Sequence, residues 1–412
     1  MDVIALLVFC ATIILAFVCK ANTGLIAIVA ALILSRFTEF GDKWLLQSFD
    51  SSLFLMLLGV MLLFCIAQEN QTLDVLAKKL LNLCRGNAKL FPPLLFLISA
   101  FLSAIGPGLI SATALMASMT VALAKQSNIH PLKLLPFGTL GSFAGGLSPI
   151  APSGIVAITK ATESGITGIE LPLMLNMALA NALYAAVLYF FVLKCHKFQK
   201  VTSTGEAIPK FTGKQLLTLA CILLVAACSV VFGINVGLLA FAASVLLIIC
   251  RAADESAALK KVPWSTLIMI TGVGILISLV TELGGIDLLR NLLSKLVNEK
   301  TASGVMALLA GTMSLFSSSS GVVMPTLIPT VPELVATLGG GSTIGIVVSI
   351  CIGSHGAAMS PLSTCGGLML SAYSSSDGVT AKDRNKMFAQ LLAMAGGAMA
   401  FHTVLALLGV FG

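Results

Sequence analysis

The stretch "LGVMLLFCIAQENQTLDVL", residues 58–76, returns as "TGVGILISLVTELGGIDLL", residues 271–289, with Gly59, Glu69 and Asp74 in step with Gly272, Glu282 and Asp287. Each pair is 213 residues apart. Apolar helices resemble one another by composition alone, but that would not keep glycine, glutamate and aspartate in one register. The same offset joins "NTGLIAIVAALIL" from Asn22 to "NVGLLAFAASVLLI" from Asn235, and "GLISATALM" from Gly108 to "GVVMPTLIP" from Gly321. "LSPIAPSGI" from Leu147 and "MSPLSTCGG" from Met359 match at 212. The chain is therefore a duplication: a first repeat at 1–194, a linker at 195–214 and a second repeat at 215–412.

The composition places both halves in a membrane. Of 412 residues 58% are hydrophobic and 10% charged, against about a quarter charged in soluble domains. Long apolar runs recur from end to end, approaching the roughly 20 residues a helix needs to cross a bilayer core. The first run lacks the basic start and cleavage site of a signal peptide and reads as a span. The ten cysteines form no CxxC or Cys/His spacing and read as packing residues.

Each half reads as a first span (3–19; 215–232), a second (23–35; 237–250) and a third (52–68; 264–281). An amphipathic segment then lies in the interface. It is followed by an apolar pair broken at its middle (91–124; 302–337), a broken span (134–160; 342–372) and a closing span (171–193; 388–411). With the broken pair as a re-entrant hairpin, each half crosses five times, and an odd number inverts the second half. The expected fold is an all-α polytopic protein of about ten transmembrane helices in two inverted-topology repeats, each with a re-entrant hairpin and a broken helix. Placing the linker inside leaves six basic residues outside, Arg36, Lys43, Lys160, Arg290, Lys295 and Lys300, against eighteen inside. That asymmetry puts both termini outside, and the net charge of +7 reads as a topology signal, with no nucleic-acid partner.

Unpaired backbone inside hydrocarbon costs several kcal/mol, so breaks at midmembrane depth need a polar surrounding. Paired breaks in inverted repeats point to a transporter's binding site. The first tip, "GPGLISATA", breaks at Gly106, Pro107 and Gly108 and offers Ser111 and Thr113. The second, "SSSSGVVMPT", offers Ser317, Ser318, Ser319, Ser320 and Gly321. The broken spans add "GGLSPIAPSG" (145–154), with Ser148, Pro149 and Ser153, and "GSHGAAMSPLSTCGG" (353–367), with His355, Ser360, Pro361, Ser363 and Thr364. The whole of 353–367 is expected to be unwound.

No Asp or Glu falls inside an assigned span, which disfavours a cation antiporter, and no Lys or Arg lies at midplane. An anion would then be held by amides, hydroxyls and helix N-termini. Two tips arriving from opposite sides suit a small dicarboxylate. His355 is the one titratable group in the central stretch, suited either to proton coupling or substrate sensing, or to a neutral structural hydrogen bond. His402, Asn176 and Asn181 read as interhelical hydrogen-bonding residues. No HExxH, GxSxG or P-loop match points to an enzyme or to ATP drive. A carrier of a monocarboxylate or inorganic anion and an anion channel are the alternatives.

The motifs "SSSSGVVMPTLIPTVPEL" and "GGLSPIAPSG" resemble those of the ion transporter superfamily, which includes divalent anion/sodium symporters, and most closely its malonate and C4-dicarboxylate carrier branch. The resemblance runs over essentially the whole chain. It implies secondary active transport of a small dicarboxylate, with sodium or protons as coupling ion and no other cofactor. It also implies a homodimer through scaffold helices and a mobile domain that carries substrate by an elevator motion. In that superfamily each tip holds Ser-Asn-Thr around substrate and sodium. Here the first tip reads Ser111-Ala112-Thr113 and the second is a serine run, so both asparagines are absent. By the same resemblance a cation would sit near Gly106, Ser111 and Gly146 in one half and Ser317, Ser320 and Ala358 in the other.

Overall fold

The computed structural model describes residues 1–19, 21–81, 87–199, 210–374 and 379–412, apart from the side chains at 80, 81, 230 and 316. The described residues contain helices and connections and no strand. Lys20, Arg85 and Lys200 of the charge count, residues 82–83 of the first amphipathic segment and linker residues 200–209 lie outside them.

In the first half α1 (Asp2–Cys19) and α2 (Thr23–Ser35) precede a short α3 (Asp42–Gln47), the third span α4 (Ser51–Glu69) and the amphipathic α5 (Thr72–Leu81). The hairpin follows as α6 (Phe91–Ala104) and α7 (Gly108–Gln126). The broken span is α8 (Leu135–Gly145) and α9 (Pro152–Glu163), and α10 (Glu170–Val187) closes the half. The second half repeats this order with α11 (Gly213–Phe232), α12 (Val236–Ile249), α13 (Glu255–Lys261), α14 (Trp264–Glu282) and α15 (Gly285–Ser294). Its hairpin is α16 (Ala302–Phe316), a π-turn at Ser319–Val323, α17 (Met324–Leu327) and α18 (Val331–Leu338). Then come α19 (Thr343–Ala357), α20 (Thr364–Ser374) and α21 (Ala381–Leu407).

Local chemistry repeats with the order. Asn22 caps α2 by accepting from Gly24 N at 2.8 Å, and Asn235 caps α12 by accepting from Gly237 N at 2.9 Å. Each satisfies an amide that a helix start leaves orphaned. The hairpins are re-entrant by their broken tips rather than by length. Their second arms, 108–126 and 319–338, are long and apolar enough to cross, and the spans α2 and α12 are no longer than the first arms, α6 and α16. Among the described residues seven helical runs, α1 and α4 among them, are long and apolar enough to cross a membrane by length and composition, and α2 and α12 are among the shorter apolar ones. With hairpins re-entrant and each broken pair counted once, the halves cross five times each and the second is inverted.

The scaffold is built by exchange. A Cβ on Gly24 would run into the backbone of Ile268 and Met269, and one on Gly272 into Gly24 itself. A Cβ on Gly237 would strike Met56, and one on Gly59 would strike Gly237. So α2 lies on α14 and α12 on α4, each second span against the other half's third. Polar bonds follow the same exchange: Asn22 Nδ2 donates to Ser265 O at 2.7 Å, and Asn70 Nδ2 donates to Thr218 Oγ1 at 2.8 Å. The other body, α6–α10 with α16–α21, packs each hairpin on its own broken span. At one rim Lys160 of α9 pairs with Asp50 at 3.4 Å, and Arg290 of α15 pairs with Glu333 of α18.

One expectation is corrected, and two short helices that the sequence did not reveal are added. The stretch 353–367 is not unwound throughout: α19 runs to Ala357, and only 358–363 leaves the helix. Gly353 sits where α19 presses on the backbone of Ala307, so this glycine serves close approach rather than a break. The connections before the third spans contain α3 and α13, whose six and seven residues are too short to show a period.

Asp50 also accepts from Leu53 N at 2.9 Å as the cap of α4. Asp50→Ala is expected to cost about 1 kcal/mol, and Asp50→Asn, which keeps the cap, less; thermal unfolding in detergent compares them. Burial pushes the Asp74 carboxyl in α5 above its ordinary range, against the opposing pull of Lys78. A raised folded-state value means that stability falls as pH rises past the ordinary aspartate range. Asp74→Asn is therefore expected to raise the melting temperature at pH 7.5, with the gain vanishing below about pH 4 where the aspartate is itself neutral. An equal gain at both pH values would refute the assignment.

Candidate functional site

Both breaks are held by the same turn. Ser148 Oγ accepts from Ile150 N at 3.3 Å, and Ser360 Oγ from Leu362 N at 3.2 Å. Their carbonyls accept from Ala151 N at 3.0 Å and Ser363 N at 2.9 Å. Pro149 and Pro361 occupy the turn position whose φ proline presets. Ser148 and Ser360 are buried, Pro149 is exposed, and these four residues shape the breaks without lining the cavity described next.

That cavity forms where the first tip, the first break and the second tip meet the third spans. It is lined by Gly108, Ser111, Ser153 and Ser320, with Phe64 of α4 and Thr266 of α14 on the scaffold side, and leaves about 30 Å³ free. Gly108 has φ +75°, a left-handed conformation, and a Cβ there would press on the Pro152 ring at 2.9 Å. Only glycine lets the start of α7 approach the start of α9 in this backbone shape.

The electrostatics come from those two starts. The residues before α7 and α9 are Pro107 and Ala151, and neither gives a side-chain hydrogen bond to its helix. The first-turn amides, Gly108, Leu109 and Ile110 in one helix and Ser153 and Gly154 in the other, thus lack intrahelical acceptors. Asn22, Asp50, Thr212 and Asn235 cap their helices with side-chain oxygens, whereas α6, α8 and α14 start uncapped like α7 and α9; α7 and α9 differ from α6 and α8 in that both open on the cavity. Two open N-termini with four hydroxyls, Ser111, Ser153, Ser320 and Thr266, make an anion-attracting corner. Among the described residues, no Lys, Arg, His, Asp or Glu lines it.

The other expected residues lie apart from this lining. Ser318 caps the π-turn, accepting from Gly321 N at 3.1 Å, and Gly321 packs against Met269 of α14. Thr113 and Ser319 are bonded to neighbouring serines at 2.6 and 2.7 Å. Ser363 donates to the Ser360 carbonyl at 2.8 Å, and Thr364 is exposed at the start of α20. His355 is fully buried in α19, its Nδ1 2.7 Å from Cys351 O and its ring edge-on to Phe143 at 6.1 Å. It does not line the cavity, and the second break as a whole stays behind α7.

For a coupling cation, Gly106 and Ser111 share the first tip, and a Cβ on Gly146 would meet Leu109 at 3.1 Å, so this trio is gathered. The second trio fits poorly. The Ala358 carbonyl already accepts from Gly366 N at 3.1 Å and from Ser363 Oγ, and Ser317 donates to Met313 O at 2.7 Å. Phe64 and Thr266 were not legible beforehand; a hydroxyl in the first turn of α14 was the only signal.

The crystal structure of the Alcanivorax borkumensis YdaH transporter shares this fold, with a TM-score of 0.64 at 13% identity over 98% of each chain. Two uncharacterized transporters, of Mycobacterium bovis and Mycobacterium tuberculosis, are each 23% identical over 362 residues, 82% of this chain and 82% of theirs. Hairpin tips, paired breaks and a small cavity with hydroxyls set in an apolar lining are the parts of a carrier, and with the citrate transporter profile (CitMHS) matching residues 6–353 the chain belongs to that family of multi-pass membrane transporters and is not an enzyme.

Proposed function

We propose that this transporter is a secondary carrier for a small polycarboxylate, of the dicarboxylate or tricarboxylate class, driven by sodium or protons. The observation that carries the reading is the meeting of two uncapped helix N-termini and four hydroxyls in a cavity that no Lys, Arg or His lines among the described residues. Each N-terminus suits one carboxylate, and hydroxyls and amides complete the hydrogen bonds. The family's citrate description supports the same chemical class.

A free volume of about 30 Å³ holds one water, so loading requires the tips to move relative to α4 and α14. A dry seam suits such movement: Ile105 and Ile150 beside the tip and break face Val60, Val225 and Val236 of the scaffold. Sliding there breaks few directional bonds, which supports an elevator motion of the hairpin body over a dimeric scaffold. The basic-residue asymmetry supports both termini outside.

The test is uptake into proteoliposomes of labelled citrate, malonate and succinate, with a monocarboxylate control, under separate sodium and proton gradients. Gradient-dependent uptake of one or more polycarboxylates, above the monocarboxylate, is the expected result. Monocarboxylate uptake as fast as all three would overturn the substrate class, and uptake indifferent to both gradients would overturn the coupling.

A further inference from the structure

Thr113 and Ser319 face protein rather than the cavity, and each is tied by a buried serine. Thr113 Oγ1 lies 2.6 Å from Ser142 Oγ of α8. Ser142 donates its own proton to Thr139 O at 2.7 Å, so between the two hydroxyls Thr113 is the donor. The helix that follows the second break, α20, packs on α7. In the other half Ser319 donates to Ser354 O at 3.1 Å and so accepts from Ser314 Oγ of α16 at 2.7 Å. Ser142 and Ser314 are 0% and 2% exposed.

We propose that Ser142 and Ser314 are positioning residues for the substrate. Ser142 acts through Thr113 on Ser111, and Ser314 acts through Ser319 on Ser320. The proposal deepens the carrier reading and rests on it. The start of α7 is uncapped and left-handed at Gly108, so little local bonding fixes its rotation. Thr113 lies two residues past Ser111, and pinning its hydroxyl to α8 sets where Ser111 points. Ser320 follows Ser319 directly; this tip is capped by Ser318, and the bonds of Ser319 to Ser314 and Ser354 add to that cap in setting where Ser320 points. In a low-dielectric interior such hydrogen-bond chains reinforce one another. A tip already ordered spares the substrate the cost of ordering it. Losing the anchor should therefore weaken binding before it slows turnover.

The experiment compares Ser142→Ala, Ser142→Thr, Thr113→Val, the Ser142→Ala/Thr113→Val pair and Ser314→Ala in the full-length protein. In citrate, malonate and succinate uptake, Ser142→Ala and Ser314→Ala are each expected to raise KM about tenfold, the loss of roughly one buried hydrogen bond, with Vmax nearly unchanged. Ser142→Thr, which keeps the hydroxyl, should restore KM, and the pair should be no worse than either single change. A readout without substrate accompanies this: amide hydrogen exchange should quicken at 108–113 in Ser142→Ala and at 319–323 in Ser314→Ala. Unchanged exchange at the tips overturns the anchoring, and quickened exchange with an unchanged KM overturns the positioning role. A KM loss that appears only with a matching fall in melting temperature also overturns it. If the wild-type protein takes up none of the three acids, the carrier reading fails by itself, and the exchange comparison stands or falls separately.

Discussion

Alanine at both Ser111 and Ser153 is expected to raise the KM for polycarboxylate uptake about a hundredfold or more while leaving the melting temperature in place. Each serine lines the cavity at the open start of a helix, Ser111 in α7 and Ser153 in α9. A hydrogen bond to a charged group is worth about 1.5–3 kcal/mol, and every 1.4 kcal/mol is about tenfold. Among the described residues no hydroxyl bond from either serine to protein is found, so their removal takes nothing from the fold. Alanine also adds no bulk that could block the cavity. Single changes should each give about tenfold or more, and unchanged kinetics in the double variant would remove the site.

Gly237→Leu is expected to abolish recovery of folded protein. Its Cβ would fall on the backbone of Met56, and backbone cannot rotate aside as a side chain can. Overpacking a well-fitted contact costs about 1–3 kcal/mol and more where the backbone must shift, so separation of α12 from α4 follows. The control is Gly274→Ala. A Cβ there meets nothing within 4 Å, and alanine favours a helix over glycine by about 1 kcal/mol. Fluorescence-detected size-exclusion profiles and melting temperatures distinguish the two. A monodisperse Gly237→Leu protein with wild-type melting would show that the helices do not meet there.

The duplication, the hairpins and both breaks were legible because each leaves a long-range mark: a constant offset, a glycine-proline interruption, hydroxyls in an apolar run. The site was legible only in part. Ser111, Ser153 and Ser320 were named with the hydroxyls Thr113, Ser148, Ser319 and Ser360, which the protein uses for its own turns and anchors. Side-chain type cannot separate these roles, because a serine that bonds a turn and one that meets a ligand look alike in one dimension. Gly353 misled for a related reason: glycine marks either a break or a close helix approach, and only the facing backbone of Ala307 decides. Phe64 and Thr266 belong to spans whose own sequence gives no sign that a tip will rest on them.

The reciprocal glycine crossings also bear on how the protein is made. As the first 194 residues leave the ribosome, α2 has α1 to lean on but lacks its main seat, since Gly24 meets its neighbour only when Ile268 and Met269 arrive. Nor can α12 settle without α4, already waiting in the bilayer. Neither half is a finished unit, so biogenesis must shelter an incomplete bundle until most of the chain has been inserted, and quality control will read any late truncation as a failure of the whole.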